Sequence, residues 1–412
     1  MIDTPAMQTL ALAVFGLTYL GMAAGGVRGL AVDRAWIALS GACLLLLVGS
    51  ISGALPLEAA LAHLDAPTLL LLLGLMLIAA RAEASGLFVR IEHALAAWRE
   101  RPALLLAGII AVSGVLSAVL VNDIVAYALA PLLCRFLPRH GLDPRPFLIA
   151  LALSCNAGSA ASLIGNPQNA LIGQAGRLDF WNYAAFAAVP ALLSLLAVHA
   201  VVWAVWHRRW RLATAGHAPA TATTPTDSPL PLLLALAGLL ALLATPLPRE
   251  IAVLSVALLL LMRRGQPSRE LVARVDWNLL LLFGGLFVVT GIAAESRALG
   301  NLVSPLVPMV QDSIGGLIAV NLVGANLIGN VPLTVLLLKL GADWSQETLR
   351  DLALVSTLAG NALLIGSVVN LIVAERAKAC GVHLGFGEFA RCGLPVTVAS
   401  MLIVTAWLVV FS

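Results

Sequence analysis

The sequence predicts an all-α polytopic membrane protein with about ten spanning helices, two re-entrant helical hairpins and two inverted-topology repeats that contain broken helices. Three observations lead to this prediction. The composition is very apolar, the basic residues are concentrated in a few loops, and several motifs recur in the same order in both halves of the chain. A soluble globular protein and a disordered chain are both excluded by the first observation.

The composition identifies the solvent that surrounds the protein. Of the 412 residues, 60% are hydrophobic and 11% are Asp, Glu, Lys or Arg. Soluble domains carry about 25% charged residues, which is what covers a surface in contact with water. The net charge of +3 gives no support to a nucleic-acid partner. We therefore expect the lipid bilayer as the partner of this chain. The predicted location is the plasma membrane, that is, a bacterial inner membrane, which the chain crosses several times.

Motifs for resident cofactors and for enzymatic chemistry are missing from the sequence. The five cysteines form no CxxC pair, and the seven histidines form no HExxH motif. The chain also contains no G-x-S-x-G elbow and no GxxxxGK[ST] phosphate loop. We therefore predict no metal site, no resident cofactor and no enzyme activity.

Apolar stretches of roughly 20 residues, long enough to cross a bilayer, define the predicted organisation. The segments are a first transmembrane helix and loop at 1–34, repeat 1 at 35–206, a cytoplasmic linker at 207–229, a linking transmembrane helix at 230–249, and repeat 2 at 250–412. The linker is small, polar and Pro-containing, which is typical of a flexible connection.

Basic residues indicate how one apolar stretch enters the membrane. Clusters at 90–101 and 135–145 flank the stretch 102–135 on both sides. Basic residues accumulate on the cytoplasmic side, so a single crossing would put one cluster on the wrong side. The stretch is therefore predicted to be a hairpin that enters from the cytoplasm and returns, with its tip at 121–123. The stretch near 313–340 is predicted to be a second hairpin that enters from the opposite face.

The two halves of the chain resemble each other in sequence. The segment ASLIGNPQNALIG at 161–173 aligns with ALLIGSVVNLIVA at 362–374 through its Leu-Ile-Gly triplet. The hairpin tips align as well, with Asn122 on Asn330. From the charges of the loops, the matching elements run in opposite directions through the membrane. This pattern predicts an inverted repeat, which is used for alternating access to a site near the midplane.

Two predicted spans, near 147–175 and near 350–374, are interrupted by Asn, Gly and Ser. Pro167 breaks the first, because it lacks an N–H donor and clashes with the preceding turn. Backbone freed inside a bilayer can offer N–H groups to an anion and carbonyl groups to a cation. The predicted substrate- and ion-binding residues are Asn122, Asp123, Asn156, Ser159, Asn166, Asn169, Asn330, Asn361, Ser367 and Asn370.

Other interpretations of these residues stay open at this point. Small residues such as Gly158 also serve close helix packing, and for that residue packing is favoured. Asp123 is a functional candidate because an ionisable group at membrane depth costs at least about 2.5–3.5 kcal/mol, but it also suits the N-cap of the following helix. Arg81 and Glu83 fall at the end of a span, where we expect anchoring at the interface or a local ion pair.

At these positions the chain resembles the ion transporter superfamily, in particular its citrate-transporter-like domain. Arsenite/antimonite permeases, sodium/proton antiporters and anion permeases look nearest, and sodium/dicarboxylate symporters are more distant. The motifs that carry the resemblance are Val121-Asn122-Asp123 with Ala130-Pro131, Asn156-x-Gly158, Leu163-Ile164-Gly165-Asn166-Pro167-Gln168-Asn169, Asn330-Val331-Pro332 and Leu364-Ile365-Gly366-Ser367 with Asn370. The resemblance covers about 30–410 and is not specific for a substrate.

The resemblance implies an elevator-type secondary transporter. Two hairpins and two broken helices would form a mobile domain that moves against a scaffold, and the scaffold often forms a homodimer. The tips at 121–123 and 329–331 lack the hydroxyl residues that flank the asparagine in sodium-binding symporters. Asn-Asp at the first tip is closer to the arsenite-permease pattern.

The function predicted from the sequence is secondary active transport of a small inorganic or carboxylate anion, or of a neutral oxyacid such as arsenite. Coupling to a H⁺ or Na⁺ gradient is expected, with the ion held at the same site. A Na⁺/H⁺-type antiporter that uses Asp123 is the alternative, and a passive channel or a membrane enzyme is less favoured. Asn amides and backbone donors suit phosphate, sulfate, carboxylate and arsenite alike, so the residues leave the substrate open.

Overall fold

A computed structural model describes residues 5–23, 33–210, 228–262, 267–303, 305–341 and 343–411. The regular elements of these residues are all helical. Most of the predicted cytoplasmic linker at 207–229 lies outside the described residues, and so does most of the loop after the first helix.

The described residues form twenty-one α-helices, numbered here in chain order. The first half contains α1 (Pro5–Ala23), α2 (Arg34–Ile51), α3 (Leu57–Leu61), α4 (Ala66–Ala84), α5 (Leu87–Ala96), α6 (Pro102–Val119), α7 (Asn122–Arg139), α8 (Pro144–Ser159), α9 (Pro167–Ala175) and α10 (Phe180–Trp206). The second half contains α11 (Leu230–Leu242), α12 (Arg249–Leu261), α13 (Ser268–Ala273), α14 (Trp277–Ala294), α15 (Arg297–Val303), α16 (Leu306–Asp312), α17 (Ile314–Ile328), α18 (Asn330–Leu340), α19 (Gln346–Ala359), α20 (Val368–Ala379) and α21 (Phe386–Phe411), with a 3₁₀ turn at Leu364–Gly366 before α20.

Seven of the described helices are long and apolar enough to cross a membrane: α1, α2, α4, α6, α10, α14 and α21. The predicted spans near 147–175 and 350–374 are each two shorter helices, and those near 230–246 and 250–263 are helices of 13 residues. The all-helical membrane class is therefore confirmed. The count of about ten spanning helices stays a prediction.

Side-chain caps begin corresponding helices of the two halves. Asp65 Oδ1 accepts a hydrogen bond of 3.0 Å from the backbone N–H of Thr68 and starts α4. Asp276 Oδ1 accepts one of 3.1 Å from Leu279 and starts α14 in the same way. An N-cap of this kind satisfies one of the N–H groups that a helix leaves without a partner in its first turn.

The two halves pack against each other reciprocally. Helix α2 packs on α14, and α4 packs on α12. Helix α7 packs on α20, and α9 packs on α18. If α2, α4, α7 and α9 correspond to α12, α14, α18 and α20, each contact has a counterpart with the halves exchanged. Two repeats related by a two-fold axis give this pattern; the bounds of the repeats, 35–206 and 250–412, remain a prediction.

An ion pair and a histidine–carboxylate contact join the ends of α4 and α14. Arg274 lies 3.1 Å from Glu83 at one end, and His63 lies 3.2 Å from Glu295 at the other. Glu83 therefore has the local ion pair that was expected. For Arg81 the alternative of anchoring at the interface does not hold, because its side chain is only 2% exposed. Neighbouring helices enclose Arg81, whereas Glu83 in the same turn is exposed.

The helices form two packed groups. The flanking group contains α1–α4 and α11–α14, and the hairpin group contains α6–α10 and α17–α21. Helices α5, α15 and α16 connect the groups along the chain. The groups meet where α14 packs on α18 and where α4 packs on α9.

Candidate functional site

Both predicted hairpins are present as pairs of helices joined by a short tip. Hairpin 1 (α6–α7) turns at Leu120-Val121, and hairpin 2 (α17–α18) turns at Gly329. The Asn122 N–H donates to the carbonyl of Gly165 at 2.9 Å, which places tip 1 against the break between α8 and α9. Leu120 and Val121 are fully buried. Tip 1 therefore ends inside the protein, as a re-entrant hairpin does.

Both predicted helix breaks are also present. The chain leaves α-helical conformation at 160–166, between α8 and α9, and at 360–367, between α19 and α20. Gly165 is required in the first break, because a Cβ atom there would overlap the carbonyl of Ser117 and the backbone of Ser159. The close approach of hairpin 1 to the break thus depends on a residue without a side chain.

The two tips and the two breaks converge on one small cavity with about 270 Å³ of space free of atoms. It is lined by Asn122, Asp123, Pro167, Gln168, Leu279, Leu282, Phe283, Asn330, Val331, Ser367 and Val368. Helices α7, α9, α18 and α20 all begin here. Each helix N-terminus carries a partial positive charge, although the first two N–H groups of α7 already donate to the Gly165 carbonyl and to Asn122 Oδ1. The cavity is therefore suited to a group rich in oxygen or negative charge.

One wall of the cavity comes from the flanking group. Leu279, Leu282 and Phe283 lie on α14, whereas the other lining residues belong to the hairpin group. The cavity therefore lies at the boundary between the two groups. The sequence does not reveal this apolar wall, because leucine and phenylalanine in an apolar helix give no sign of which neighbour they face.

Four of the predicted site residues line the cavity: Asn122, Asp123, Asn330 and Ser367. Gln168 also lines it and was missed, although it directly follows the helix-breaking Pro167. The remaining six predicted residues are fully buried behind the cavity: Asn156, Ser159, Asn166, Asn169, Asn361 and Asn370.

Asn156 on α8 is the centre of a hydrogen-bond network behind the cavity. Its Nδ2 donates to Asn361 Oδ1 at 2.9 Å and to Asn370 Oδ1 at 3.1 Å. Its Oδ1 accepts from Ser367 Oγ at 3.0 Å and from Asn122 Nδ2 at 3.2 Å. Asn156 therefore connects tip 1 to the broken helix of the other half.

Thr357 on α19 has the corresponding role in the second half. Its hydroxyl donates to Asn169 Oδ1 at 2.9 Å and accepts from Asn166 Nδ2 at 3.2 Å and from Gln168 Nε2 at 3.3 Å. Thr357 was absent from the predicted set, but the alignment of the Leu-Ile-Gly triplets places it on Asn156. Each half thus forms hydrogen bonds to the helix break of the other half. Because these buried polar groups all have partners, the network fixes the positions of the tips and breaks relative to each other.

Asp123 is 5% exposed and is the one charged residue among the described residues that line the cavity. Its backbone N–H donates to Asn122 Oδ1 at 2.9 Å. Within the described structure its carboxylate accepts no hydrogen bond from the first turn of α7, so the helix-capping interpretation is not supported. The carboxylate is available to a proton, a cation or a donor group of a substrate.

Paired hairpin tips and broken helices around a cavity in a multi-pass helical fold define a membrane transport protein. The protein is a transporter of a known type: a family model described as CitMHS, citrate transporter, matches residues 12–358. The chain belongs to this family, which confirms the resemblance to the ion transporter superfamily found in the sequence.

Relatives and solved structures agree with this assignment. A Dictyostelium discoideum protein described as a transporter, arsB, is 38% identical over 32% of this chain and 25% of that protein. The silicon efflux transporter LSI3 of Oryza sativa subsp. japonica is 31% identical over 41% of this chain and 34% of that protein. The crystal structure of the Alcanivorax borkumensis YdaH transporter is 17% identical, covers 98% of this chain and 97% of that chain, and has a TM-score of 0.52. The chain shares the fold of that transporter.

Proposed function

We propose that the protein is a secondary active transporter of a small oxyacid, neutral or singly charged, and that transport is coupled to H⁺ through Asp123. The observation that carries this proposal is the composition of the cavity. Four helix N-termini surround it, and Asp123 is the single charged side chain among its described lining residues. We further propose a location in the plasma membrane of a bacterial cell, the inner membrane, and a homodimer.

The lining chemistry favours an oxyacid over a multivalent anion. Oxygen atoms of the substrate would accept hydrogen bonds from the helix N-termini and from the Asn330 amide, and a hydroxyl of the substrate would donate to Asp123. A di- or trivalent anion would meet a carboxylate with no Lys or Arg among the described lining residues. The rice relative is named for silicon efflux, and dissolved silicon at neutral pH is an uncharged hydroxide, which is in keeping with this chemistry.

The size of the cavity also supports a small substrate. Its free space of about 270 Å³ includes the mouth. Because part of this volume is open to solvent, the enclosed space suits at most a substrate with a few non-hydrogen atoms.

Alternating access by an elevator-type movement is supported by the two helix groups. The polar lining residues belong to the hairpin group, and α14 of the flanking group supplies an apolar wall. Movement of the hairpin group along α14 would carry the tips, the breaks and the bound substrate together. Such a movement requires few broken hydrogen bonds at the wall, because Leu279, Leu282 and Phe283 have apolar side chains.

Asp123→Asn tests the coupling role in purified protein reconstituted into liposomes. We expect uptake of arsenite or silicic acid to follow an imposed pH gradient in the parent protein and to lose that dependence in Asp123→Asn. Glu58→Gln on α3, an exposed carboxylate far along the chain from the cavity residues, is the matched control and should retain the dependence. Gradient-driven uptake by Asp123→Asn equal to that of the parent would refute the role of Asp123.

A cation/proton antiporter is the second candidate, and the carboxylate of Asp123 is the observation that favours it. The two functions differ in what they require. An antiporter would release H⁺ from liposomes when Na⁺ or Li⁺ alone is added, whereas an oxyacid transporter needs the oxyacid. A fluorescent pH indicator inside the liposomes separates them.

A further inference from the structure

A buried phenol of the flanking group contacts hairpin 2 just after its tip. Tyr19 on α1 is 5% exposed. Its hydroxyl lies 2.9 Å from Thr290 Oγ1 on α14 and donates to the backbone carbonyl of Pro332 on α18 at 3.2 Å. Pro332 is two residues beyond Asn330, which lines the cavity. The contact therefore joins the flanking group to the part of hairpin 2 that closes the site.

The surroundings of Tyr19 hold the hydroxyl in this position. The Phe15 ring packs on the Tyr19 ring with centroids 4.3 Å apart, and Thr290 is fully buried. A buried phenol hydroxyl requires a hydrogen-bond partner, and the Thr290 hydroxyl can donate to Tyr19 while Tyr19 donates to Pro332. Thr290 thus orients the phenol toward hairpin 2.

The C-terminal end of α18 also contacts the region outside the hairpin group. Lys339 Nζ, in the last turn of α18, donates to the backbone carbonyl of His63 at 3.2 Å. Helix α18 is therefore attached near both of its ends to residues outside the hairpin group.

Tip 2 has fewer attachments inside the hairpin group than tip 1. Asn122 at tip 1 donates from its backbone to Gly165 and from its side chain to Asn156. Asn330 at tip 2 uses its Oδ1 to accept from the adjacent Val331 N–H at 2.9 Å, and no hydrogen bond in the described structure ties its Nδ2 to a broken helix. The other helix of hairpin 2, α17, is attached to the second break, because Asn326 Nδ2 donates to the Ala359 carbonyl at 3.0 Å. The weakly attached part is the beginning of α18.

We propose that Tyr19 is a positioning residue that holds the start of α18 closed over the cavity in the conformation of this structure. Loss of its hydroxyl would release tip 2 while tip 1 stays attached through Asn122. The inference extends the proposed transport function to one conformational step. It does not depend on which substrate is carried, because the contact is made between protein groups alone.

Cysteine labelling at tip 2 tests the proposal in detergent-solubilised protein without any substrate. Val331→Cys is the reporter, since Val331 lines the cavity and is 4% exposed. The background carries Cys43→Ser and Cys380→Ser, which removes the exposed thiols and leaves the buried ones. We expect Tyr19→Phe to raise the rate of maleimide labelling by about 2- to 10-fold, the shift that one hydrogen bond produces.

Tyr183→Phe is the matched control. Tyr183 is also buried, and its hydroxyl donates to the Ala160 carbonyl at 2.9 Å and accepts from Asn169 Nδ2 at 3.2 Å, but both bonds lie within the hairpin group. Both variants lose one phenol hydroxyl and keep the ring, so both should lower the melting temperature. Only Tyr19→Phe should raise labelling. Equal labelling in Tyr19→Phe and the parent, or an equal increase in both variants, would overturn the proposal.

A second measurement avoids the engineered cysteine. Hydrogen–deuterium exchange of the segment 327–335 should be faster in Tyr19→Phe than in Tyr183→Phe, and unchanged exchange in Tyr19→Phe would overturn the proposal. Failure of oxyacid uptake would leave both results intact. The inference and the proposed function can therefore fail separately.

Discussion

The tips of the two hairpins occupy equivalent places around the cavity but differ in chemistry and in attachment. Tip 1 carries Asn122 and the carboxylate of Asp123, and hydrogen bonds to Gly165 and Asn156 join it to the broken helix of its own half. Tip 2 carries Asn330 and an apolar Val331, and its start is held from the flanking group by Tyr19. Tip 1 therefore has an ionisable group and several hydrogen bonds to the hairpin group, whereas tip 2 is uncharged and has fewer hydrogen bonds there.

This difference shows how a duplicated fold can assign two tasks to equivalent positions. The common part is the backbone: four helix N-termini directed at one cavity, held by the networks around Asn156 and Thr357. The specific part is a few side chains. Variants that exchange or remove those side chains therefore show how far the two tips are equivalent.

The largest effect is expected from moving the carboxylate from tip 1 to tip 2. Asp123→Asn alone should lower proton-coupled uptake by about 10- to 100-fold, the value of one hydrogen bond to a charged group. Adding Val331→Asp should restore part of the uptake if the tips are chemically equivalent around the cavity. The measurement is initial uptake in liposomes at a fixed pH gradient. No recovery in the double variant would show that the rigid support of tip 1 is also needed.

Removing the network centre of the first half should destabilise the protein more than removing that of the second. In Asn156→Ala, three buried side chains lose a hydrogen-bond partner: Asn361, Asn370 and Ser367. We therefore expect the free energy of unfolding to fall by about 2–4 kcal/mol. The partners of Thr357 retain more, since Asn166 Nδ2 also donates to Ser159 Oγ at 2.9 Å.

Thermal unfolding in detergent compares the two variants. We expect a lower melting temperature for Asn156→Ala than for Thr357→Ala. The reverse order would contradict the view that tip 1 and its support are the more strongly held part of the site.

The turn at tip 2 should contribute a smaller and purely conformational effect. Gly329 has φ +95°, which a side chain disfavours, while a Cβ there would meet only Pro332 at an ordinary 3.4 Å. Gly329→Ala should therefore lower stability by about 1–2 kcal/mol. Gly238→Ala on α11, where a Cβ meets nothing within 4 Å, is the control and should be neutral or slightly stabilising. Equal melting temperatures for the two variants would argue against the strained turn.

The smallest effect concerns pH and the contact between His63 and Glu295 at one end of α4 and α14. Burial lowers the pKa of His63, in the loop before α4, below its ordinary 6.5, with Lys339 acting in the same direction and Glu295 against it. Below that pH the unfolded chain binds a proton that the folded protein binds less readily, so stability should fall as the pH drops through 6.5.

Melting temperatures on either side of that pH test the effect. His63→Asn should reduce the difference between them, and the exposed His383→Asn should not. The opposite pair, Arg274 with Glu83, does not involve a histidine and supplies no such dependence. An undiminished difference in His63→Asn would assign the pH dependence to another group.

Local features of the fold and the site were predictable from the sequence. The first hairpin follows from basic residues on both sides of its apolar stretch, and the breaks follow from Pro167 and the clustered Asn, Gly and Ser residues. These signals are local, because a proline or a buried asparagine constrains the backbone wherever the rest of the chain lies. The repeated motif then placed residues of both halves at one site before any distance was known.

Features that depend on packing between distant segments could not be predicted. Tyr19 lies more than three hundred residues before Pro332 in the sequence, and nothing in α1 indicates that contact. The apolar wall of α14 is hidden among other leucines for the same reason. For Arg81 the sequence predicted anchoring at the interface or a local ion pair, and it gave no sign that the neighbours of α4 bury the side chain. Burial at a helix end is decided by the surrounding helices and not by the helix itself.

Uptake into liposomes of arsenite, silicic acid, phosphate, sulfate and citrate at one imposed pH gradient tests whether the cavity carries a small oxyacid of low charge with Asp123 as the coupling group. We expect gradient-dependent uptake of arsenite or silicic acid by the parent protein, loss of that uptake in Asp123→Asn, and little uptake of the multivalent anions. Uptake of citrate or sulfate that persists in Asp123→Asn would refute the proposed function.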